Sequence, residues 1–325
     1  MLSAPSPQVP AHRDDPRRGL FLLAFFVIYF IWGSTYLAIR FSIETMPPLG
    51  MASVRFLIAG TLMYVWSRAR GVHAPTPAQW KIGAISGTLL LVGGNGAVVV
   101  AEQWVPSGLV ALLVATVPLW MVVLDAAFGS RSRPSGRSAV GLLAGFLGVG
   151  LLAGSPGVGA GGPLELLGAV LVLGGSVCWA IGSLVSRYAV DPPRPRMLVA
   201  TQMLSGGLVF AVLSIGLGEV DGFSIEQVSA RSWGALVYLI IAGALIGYGA
   251  YIWLLTVAPP SRVGTYAYVN PVVALFLGWA FADEPLTFRS MLAAAIILAS
   301  VIVITVDTRS TAPRGERKTG KARIT

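Results

Sequence analysis

The stretch GGNGAVVVAEQWVPSGLVALLVATVP, residues 93–118, recurs in altered form as IGYGAYIWLLTVAPPSRVGTYAYVNP, residues 246–271. Each copy predicts an apolar helix containing glycine, a tight turn marked by proline and a second apolar helix that another proline breaks midway. These last prolines, Pro118 and Pro271, lie 153 positions apart, as do the other matching residues. A match held at one spacing over this length indicates an internal repeat, and therefore a fold built from two similar halves.

The composition is that of a membrane protein. Hydrophobic residues make up 55% of the chain and charged residues only 11%, whereas soluble domains have about 25% charged residues. So few charges cannot cover the surface of a water-soluble chain of 325 residues. We therefore predict an all-α protein that crosses the membrane several times.

Apolar runs long enough to cross a bilayer occur ten times along the chain. A transmembrane helix needs about 20 residues to cross ~30 Å of hydrocarbon. The first run is too long for the apolar part of a signal peptide, so we interpret it as a span. Polar residues 1–18 are expected to form a disordered tail, and residues 307–325 a basic tail. The predicted spans are 19–41, 47–67, 82–104, 106–128, 137–154, 164–187, 197–218, 233–256, 262–282 and 288–306.

The charge distribution predicts the orientation. A net charge of +9 would point to nucleic acid in a soluble protein. Here most of the 23 Lys and Arg residues fall in alternate loops and in the two tails, while most loop carboxylates fall on the other side. Because cytoplasmic loops are enriched in Lys and Arg, both termini are predicted to be cytoplasmic, and no nucleic-acid partner is expected.

The two halves are predicted to be inverted relative to each other. The repeat also relates Trp32 to Trp179, at an offset of 147 positions. Each half, residues 19–154 and 164–306, thus contains five predicted spans, and an odd number makes the second half enter the membrane from the opposite face. Many secondary transporters are built from such inverted repeats. Residues 155–163, SPGVGAGGP, are predicted to be a flexible outer linker.

Aromatic and amide side chains cluster near the predicted middle of the membrane. With a rise of about 1.5 Å per residue, their distance from the span ends gives their depth. Inverted-repeat transporters hold their substrate at this depth, between the halves, and rings with one polar group suit a weakly selective pocket. The alternatives are core packing, a position at the membrane interface and, for the amides, interhelical hydrogen bonds. The predicted substrate-binding residues are Trp32, Tyr36, Asn95, Trp179, Tyr248, Tyr251, Tyr266 and Asn270.

The matched prolines Pro118 and Pro271 are predicted hinges. A proline inside a helix removes one backbone donor and frees a carbonyl of the preceding turn. In a bilayer, such a freed carbonyl is tolerated only against protein or a wet cavity. The alternative is a fixed packing kink, but two kinks at matching positions suit the rocking of two helix bundles against each other.

Among the ionisable side chains of the predicted spans, three are candidates for a functional role: Arg55, Glu102 and Asp125. Ionisable residues inside a membrane are functional candidates by default. Arg55 and Glu102 both lie near outer ends of spans, so they could form an ion pair; snorkelling to the interface is the alternative. Asp125 lies near an inner end. If transport is coupled to protons, Glu102 and Asp125 are the plausible carriers.

Several motifs carry a family resemblance. Together with residues 93–118, the segments IWGSTYLAIR, MASVRFLIAG and VNPVVALFLGWAFADEPLT resemble the EamA family of the drug/metabolite transporter superfamily, in its YedA-like branch. The resemblance covers residues 19–306 as two repeats. It implies ten helices around a central cavity and export of amino acids or similar small metabolites from the bacterial inner membrane. No lysine lies within a predicted span, which argues against the phosphorylated substrates of more distant relatives.

Amino acid export by alternating access has two alternatives. Efflux of toxic or drug-like compounds would use the same cavity. An intramembrane enzyme would need convergent nucleophiles, metal ligands or paired carboxylates, but the only histidines are His12 and His73, both outside the predicted spans. We therefore expect no enzyme activity, no cofactor and no metal, and the protein should be a monomer or a dimer.

Overall fold

A computed structural model describes residues 16–128, 136–152, 162–258, 263–264 and 266–310. Regular structure in these ranges is helical, with no β-strand. The helices are α1 Gly19–Ser42, α2 Pro48–Ala69, α3 Pro77–Ala101, α4 Ser107–Val114, α5 Val117–Phe128, α6 Gly136–Leu152, α7 Pro163–Tyr188, α8 Pro195–Gly216, α9 Ala230–Val257, α10 Tyr266–Ala282 and α11 Phe288–Ser310. Residues 1–15 and 311–325, nearly all of the predicted linker and the Asp125 side chain lie outside the described part.

Six of the described helices are long and apolar enough to cross a membrane: α1, α2, α3, α7, α8 and α9. Four of these, α2, α3, α7 and α8, begin at a proline. Proline fits the first turn of a helix because the N–H it lacks would have no partner there. The remaining predicted spans contain shorter apolar helices. The chain is therefore a multi-pass membrane protein, and the crossing of all ten spans stays a prediction.

Equivalent helices of the two halves pack against each other. The most extensive contacts join α2 to α8 and α6 to α11, and α10 packs on α4. Gly60 and Gly207 are equivalent in the repeat. A Cβ on Gly60 would lie 3.0 Å from Cγ of Leu204, and a Cβ on Gly207 would lie 2.9 Å from Cγ of Leu57. Such reciprocal contacts are expected where two similar surfaces meet about a local two-fold axis.

An arginine at the end of the first helix of each half binds the end of the third helix. Arg40 of α1 donates to the backbone carbonyl of Glu102, just after α3. Arg187 of α7 donates to the carbonyls of Leu255 and Ala258, at the end of α9, at 3.1 and 3.0 Å. In the repeat, Arg187 is equivalent to Arg40 and Leu255 to Glu102. Each guanidinium thus satisfies carbonyls that have no partner within their own helix.

Two carboxylates of the second half bind helix N-termini of the first half. Glu219 accepts from the backbone N–H of Gly50 in α2 at 3.0 Å. Glu284 accepts from the N–H groups of Ser107 and Gly108, at the start of α4, at 2.7 and 3.0 Å. Negative charge is favourable at a helix N-terminus because the N–H dipoles point towards it. These contacts tie the two halves together at the predicted outer side.

The two matched prolines have different local structures. A turn at Ala115 and Thr116 separates α4 from α5, and Pro118 is the second residue of α5. Pro271, in contrast, lies inside α10, which continues through it. The expected break in the helix therefore occurs in the first half only. A helix can continue through a proline because only one hydrogen bond is lost, at the cost of a kink.

Candidate substrate cavity

A central cavity lies between the two halves of the protein. The volume in which the centre of a water molecule can lie is ≈ 60 Å³. One water needs ~10–15 Å³ of such volume, so the cavity has room for several. Both halves contribute to the wall, which is apolar over most of its area. The apolar part comes chiefly from Ile39, Phe56, Leu91, Val98, Val114 and Val117.

The structure brings most of the predicted site residues together at this cavity. The predicted residues in its wall are Trp32, Tyr36, Asn95, Trp179, Tyr248, Tyr266 and Asn270. Tyr251 instead lies behind the wall and is fully buried. Its hydroxyl accepts from Nε1 of Trp179 at 3.1 Å and shares a hydrogen bond with Ser183 at 2.7 Å. Tyr251 therefore supports the ring of Trp179. Whether any of these residues binds substrate stays a prediction.

Trp32 of the first half is held by rings of the second half. Its ring meets Trp179 and Tyr266 edge to face, with centroids 5.6 and 5.4 Å apart, and lies 5.0 Å from the ring of Tyr251. Its Nε1 donates to the carbonyl of Gly243 at 3.2 Å. Each such aromatic pair contributes about 0.5–1.5 kcal/mol beyond the area it buries. The indole is thereby fixed in the wall of the cavity.

Segments of wider, π-helical turns lead to the cavity in three helices. They are Val27–Ile31 in α1, Thr88–Asn95 in α3 and Leu239–Tyr248 in α9. The last two end at equivalent positions of the repeat, and the first ends just before Trp32. Wide turns are frequent at functional sites because they change the direction of the side chains that follow. The hydrophobic pattern did not predict them, since it follows the ordinary helical period.

The two predicted amides have different surroundings. Asn95 accepts a long hydrogen bond, 3.4 Å, from Nη1 of Arg55. With its amide oriented so that the nitrogen faces acceptors, Asn270 donates to the carbonyls of Ile28, Tyr29 and Tyr266 at 3.0, 2.8 and 3.2 Å. Ile28 and Tyr29 belong to the π-helical segment of α1. The nitrogen of Asn270 therefore makes the interhelical hydrogen bonds that were the alternative to substrate contact, whereas Asn95 faces the cavity.

A buried polar cluster on α8 was missed from the sequence. Nε2 of Gln202 donates to Ser86 and Ser186 at 2.8 and 2.9 Å, and its Oε1 accepts from the hydroxyl of Tyr248 at 2.8 Å. Gln202 is completely buried. A glutamine within the apolar run MLVATQMLSGG was a usable signal, because a polar group in hydrocarbon must find partners. Ser86, Ser186 and Gln202 lie near the predicted cytoplasmic ends of their spans, and Tyr248 of the cluster also lines the cavity.

Arg55 and Glu102 lie in the interior without an ion pair between them in the described structure. Arg55 is 4% exposed and lines the cavity. Its guanidinium carbon lies 4.7 Å from the ring centroid of Phe56. Glu102 is 0% exposed, and neither of its carboxylate oxygens has a hydrogen-bond partner among the described residues. The burial of Arg55 excludes snorkelling. The predicted pair is near but not formed.

Metal chemistry has no support in the described ranges. No group of three or more His, Cys, Asp or Glu side chains there could hold a metal ion. The polar side chains of the cavity are instead amides, hydroxyls, indoles and one guanidinium, which can orient a solute but supply no nucleophile paired with a base. This donor set fits binding better than catalysis.

A duplicated bundle of apolar helices around a partly polar cavity is the architecture of a membrane transporter. The model of the EamA-like transporter family matches residues 19–154 and 166–306, once in each half. The chain therefore belongs to the EamA-like transporter family. The two matches confirm the family resemblance seen in the sequence.

Relatives share nearly the whole chain. The protein is 39% identical over 284 residues to "Uncharacterized inner membrane transporter YedA" of Escherichia coli, covering 87% of this chain and 90% of that one. It is 28% identical over 302 residues to "Uncharacterized transporter YvbV" of Bacillus subtilis, covering 91% and 94%. A crystal structure with 22% identity and a TM-score of 0.65 covers 91% of this chain and 99% of its own, which shows the fold alone. The chain is thus a multi-pass inner membrane protein.

Proposed function

We propose that the protein is a secondary transporter that exports amino acids or similar small metabolites across the inner membrane by alternating access. The observation that carries the proposal is the cavity between the halves, whose aromatic wall also contains the polar ends of Arg55 and Asn95. A solute with an apolar body and one or two polar groups matches such a wall. The names of the relatives, transporters without an assigned solute, agree with this role.

In the proposed topology, all ten predicted spans cross the membrane, and the halves 19–154 and 164–306 run in opposite directions with both termini cytoplasmic. The reciprocal contacts of α2 and α8 support this arrangement. The test is accessibility labelling of Ser155→Cys in a Cys178→Ala background. We expect a membrane-impermeant maleimide to label this cysteine from the periplasmic side, and labelling from the cytoplasmic side alone would contradict the topology.

The described conformation is proposed to be closed towards the cytoplasm. The hydrogen-bonded cluster around Gln202 supports closure at that end. At the opposite end, a polar depression with ≈ 560 Å³ open to water centres lies between Arg40, Glu44, Arg231 and Asp283. Alternating access would then require the cluster around Gln202 to separate while the outer depression closes. A solute in the cavity would face each side in turn.

Bending and proton coupling belong to the same proposal. Pro271 would let α10 bend as the halves move, because it removes one backbone hydrogen bond inside that helix. The turn before Pro118 would let α4 and α5 change their angle. Glu102 or Asp125 would carry the proton.

A pH gradient imposed across vesicles should then change the rate of solute flux. A flux that is insensitive to the gradient would remove proton coupling from the proposal.

Solute flux in reconstituted vesicles tests the function directly. We expect flux of some radiolabelled amino acids, and its loss in Asn95→Phe, because the larger ring would fill the cavity beside Arg55. Val54→Phe is a matched control on α2, since Val54 is an exposed apolar residue. Equal flux in the two variants would remove Asn95 from the site, and no flux for any amino acid in the wild type would contradict the proposed solute class.

Efflux of toxic or drug-like compounds is the second candidate. The cluster of rings around Trp32 favours it, because broad aromatic surfaces bind many apolar compounds without strict selection. Cells that overproduce the protein would then grow better under a panel of such compounds. Amino acid flux without this protection would decide for the first candidate.

A further inference from the structure

Arg55 is the unusual group of the cavity wall. It is 4% exposed, and its Nε has no hydrogen-bond partner in the described part of the chain. Its Nη1 makes only the long hydrogen bond to Asn95, 3.4 Å, and its guanidinium carbon lies 4.7 Å from the ring centroid of Phe56. A guanidinium has five N–H donors. Most of the hydrogen-bonding capacity of this buried cation is therefore unused within the described part of the chain.

Charged neighbours do not neutralise Arg55 directly. Glu102 is close enough to act on it electrostatically, but the described residues contain no ion pair between them. Tyr36, Arg40 and Glu284 are the other titratable groups that act on Glu102. The carboxylate of Glu284 is engaged at the N-terminus of α4. A buried cation without a bonded anion costs several kcal/mol, so the cavity favours an anionic ligand.

The equivalent position in the second half has the opposite character. Gln202 lies 147 positions after Arg55, and its amide is bonded to Ser86, Ser186 and Tyr248. The same place in the fold therefore holds a neutral and satisfied group in one half, and a charged and unsatisfied group in the other. Helix packing alone does not require the charge, because the neutral amide serves the same packing position in the second half.

The shape and chemistry of the wall select the kind of anion. A single guanidinium offers two parallel N–H donors, which match the two oxygens of a carboxylate. No second arginine, lysine or histidine from the described residues lines the cavity, so a phosphate with two charges would stay under-compensated. The surrounding rings and aliphatic side chains suit an apolar body next to the carboxylate.

We propose that Arg55 binds the carboxylate of the transported solute, which makes the solute a monocarboxylate with an apolar or aromatic body. The proposal rests on the proposed transport function, of which it names the substrate class. Amino acids with apolar side chains belong to this class. Phosphorylated compounds and neutral drug-like amines do not.

Binding of benzoate and benzamide to the purified full-length protein, measured by calorimetry at neutral pH, tests the proposal. The two probes have nearly the same shape and differ in charge. We expect benzoate to bind about tenfold or more tightly than benzamide, because a charge-assisted pair of hydrogen bonds is lost with the amide. Arg55→Gln should remove this preference. Arg55→Lys should keep only part of it, because an ammonium lacks the planar pair of donors.

Arg68→Gln is the matched control on the same helix. Arg68 is exposed, donates to the carbonyl of Val72 at 2.9 Å and lies outside both the central cavity and the outer depression, so its replacement should leave the preference for benzoate unchanged. Equal affinity of the wild type for both probes would overturn the proposal, as would no binding of either probe or an unchanged preference in Arg55→Gln. If Arg55→Gln does not fold, the wild-type ratio and Arg55→Lys decide.

Measuring solute flux as well as probe binding distinguishes a failure of the carboxylate site from a failure of the proposed transport function. If amino acid flux is unchanged in vesicles that contain Arg55→Gln, the transport function is supported and Arg55 is excluded as the carboxylate site. If the wild type prefers benzoate tenfold but shows no amino acid flux, the carboxylate site is supported and amino acids are excluded as solutes.

Discussion

Arg55 on α2 and Gln202 on α8 occupy equivalent positions of the two halves, and each contacts the residue that ends a π-helical segment. Arg55 donates to Asn95 at 3.4 Å, and Gln202 accepts from Tyr248, the equivalent of Asn95, at 2.8 Å. Gln202 has two further serine partners, whereas Nε of Arg55 has none within the described ranges. The same backbone framework thus holds a closed polar cluster on one side and an unsatisfied cation on the other.

The difference comes from the residues around the two positions. The serines that bind Gln202 are Ser86 and Ser186, and the equivalent positions in the other half are Leu239 and Ile39. Aliphatic side chains cannot accept a hydrogen bond, so Arg55 stays available. Duplication therefore supplies a similar scaffold in both halves, while a few differences in sequence leave the polar group satisfied in one half and unsatisfied in the other.

Arg55→Met should lower transport more than any other variant, and it should leave the stability of the fold unchanged or raise it. Loss of the cation should lower solute flux by about 10- to 100-fold, since hydrogen bonds to charged groups are strong in a buried site. The melting temperature should stay the same or rise, because an uncompensated buried charge is removed. Vesicle flux and thermal unfolding of the same preparation check both. A large fall in melting temperature would mean that Arg55 is structural.

Gln202→Leu should behave in the opposite way and destabilise the protein by about 2–3 kcal/mol. It leaves the hydroxyl of Tyr248 without its acceptor, and an unpaired buried polar group costs about 1–3 kcal/mol. Ser86 and Ser186 lose one donor each but keep their hydrogen bonds to carbonyls of their own helices. Unfolding in detergent measures the loss. Gln202→Glu tests the same site with one added negative charge. Unchanged stability of Gln202→Leu would show that the hydrogen bonds of Gln202 do not stabilise the fold.

Gly60→Ala and Gly207→Ala should destabilise the α2 and α8 contact by similar amounts, about 1–3 kcal/mol each, because overpacking forces the backbones apart. The new Cβ atoms would lie 3.0 Å from the backbone nitrogens of Leu204 and Leu57, respectively. Gly234→Ala is the control, since no atom lies within 4 Å of its added Cβ. Strongly unequal effects in thermal unfolding would contradict a two-fold relation at this contact.

Glu102→Gln should have the smallest effect, a change of a few-fold in the pH dependence of benzoate binding. When Glu102 is ionised, its negative charge competes with an anion for Arg55, so wild-type affinity should fall as pH rises. Tyr36, Arg40 and Glu284 also act on Glu102, and they are unchanged in the variant. Affinity in Glu102→Gln should therefore vary less with pH. Identical pH profiles would exclude Glu102 as a proton carrier linked to the site.

Much of the cavity wall could be predicted because depth in a membrane follows from position along a helix. Trp32, Asn95 and Tyr248 were placed near the midplane by the rise per residue, and the structure puts them in one cavity wall. The depth of a residue does not say towards which side of its helix the side chain points. Tyr251 was therefore predicted as a lining residue although it lies behind Trp179, and the different contacts of Asn95 and Asn270 could not be foreseen.

The sequence by itself determined the duplicated, membrane-spanning helical scaffold. Apolar length sets the spans, and the offsets of 147 and 153 positions set the repeat. Only the tertiary structure decided which polar groups are satisfied, because their partners are distant in the chain. Gln202 bonds to Ser86 across 116 positions and to Tyr248 across 46, whereas the guanidinium of Arg55 has one long hydrogen bond within the described residues, to Asn95 at 3.4 Å. That imbalance arises where helices from both halves meet, and no single segment encodes it.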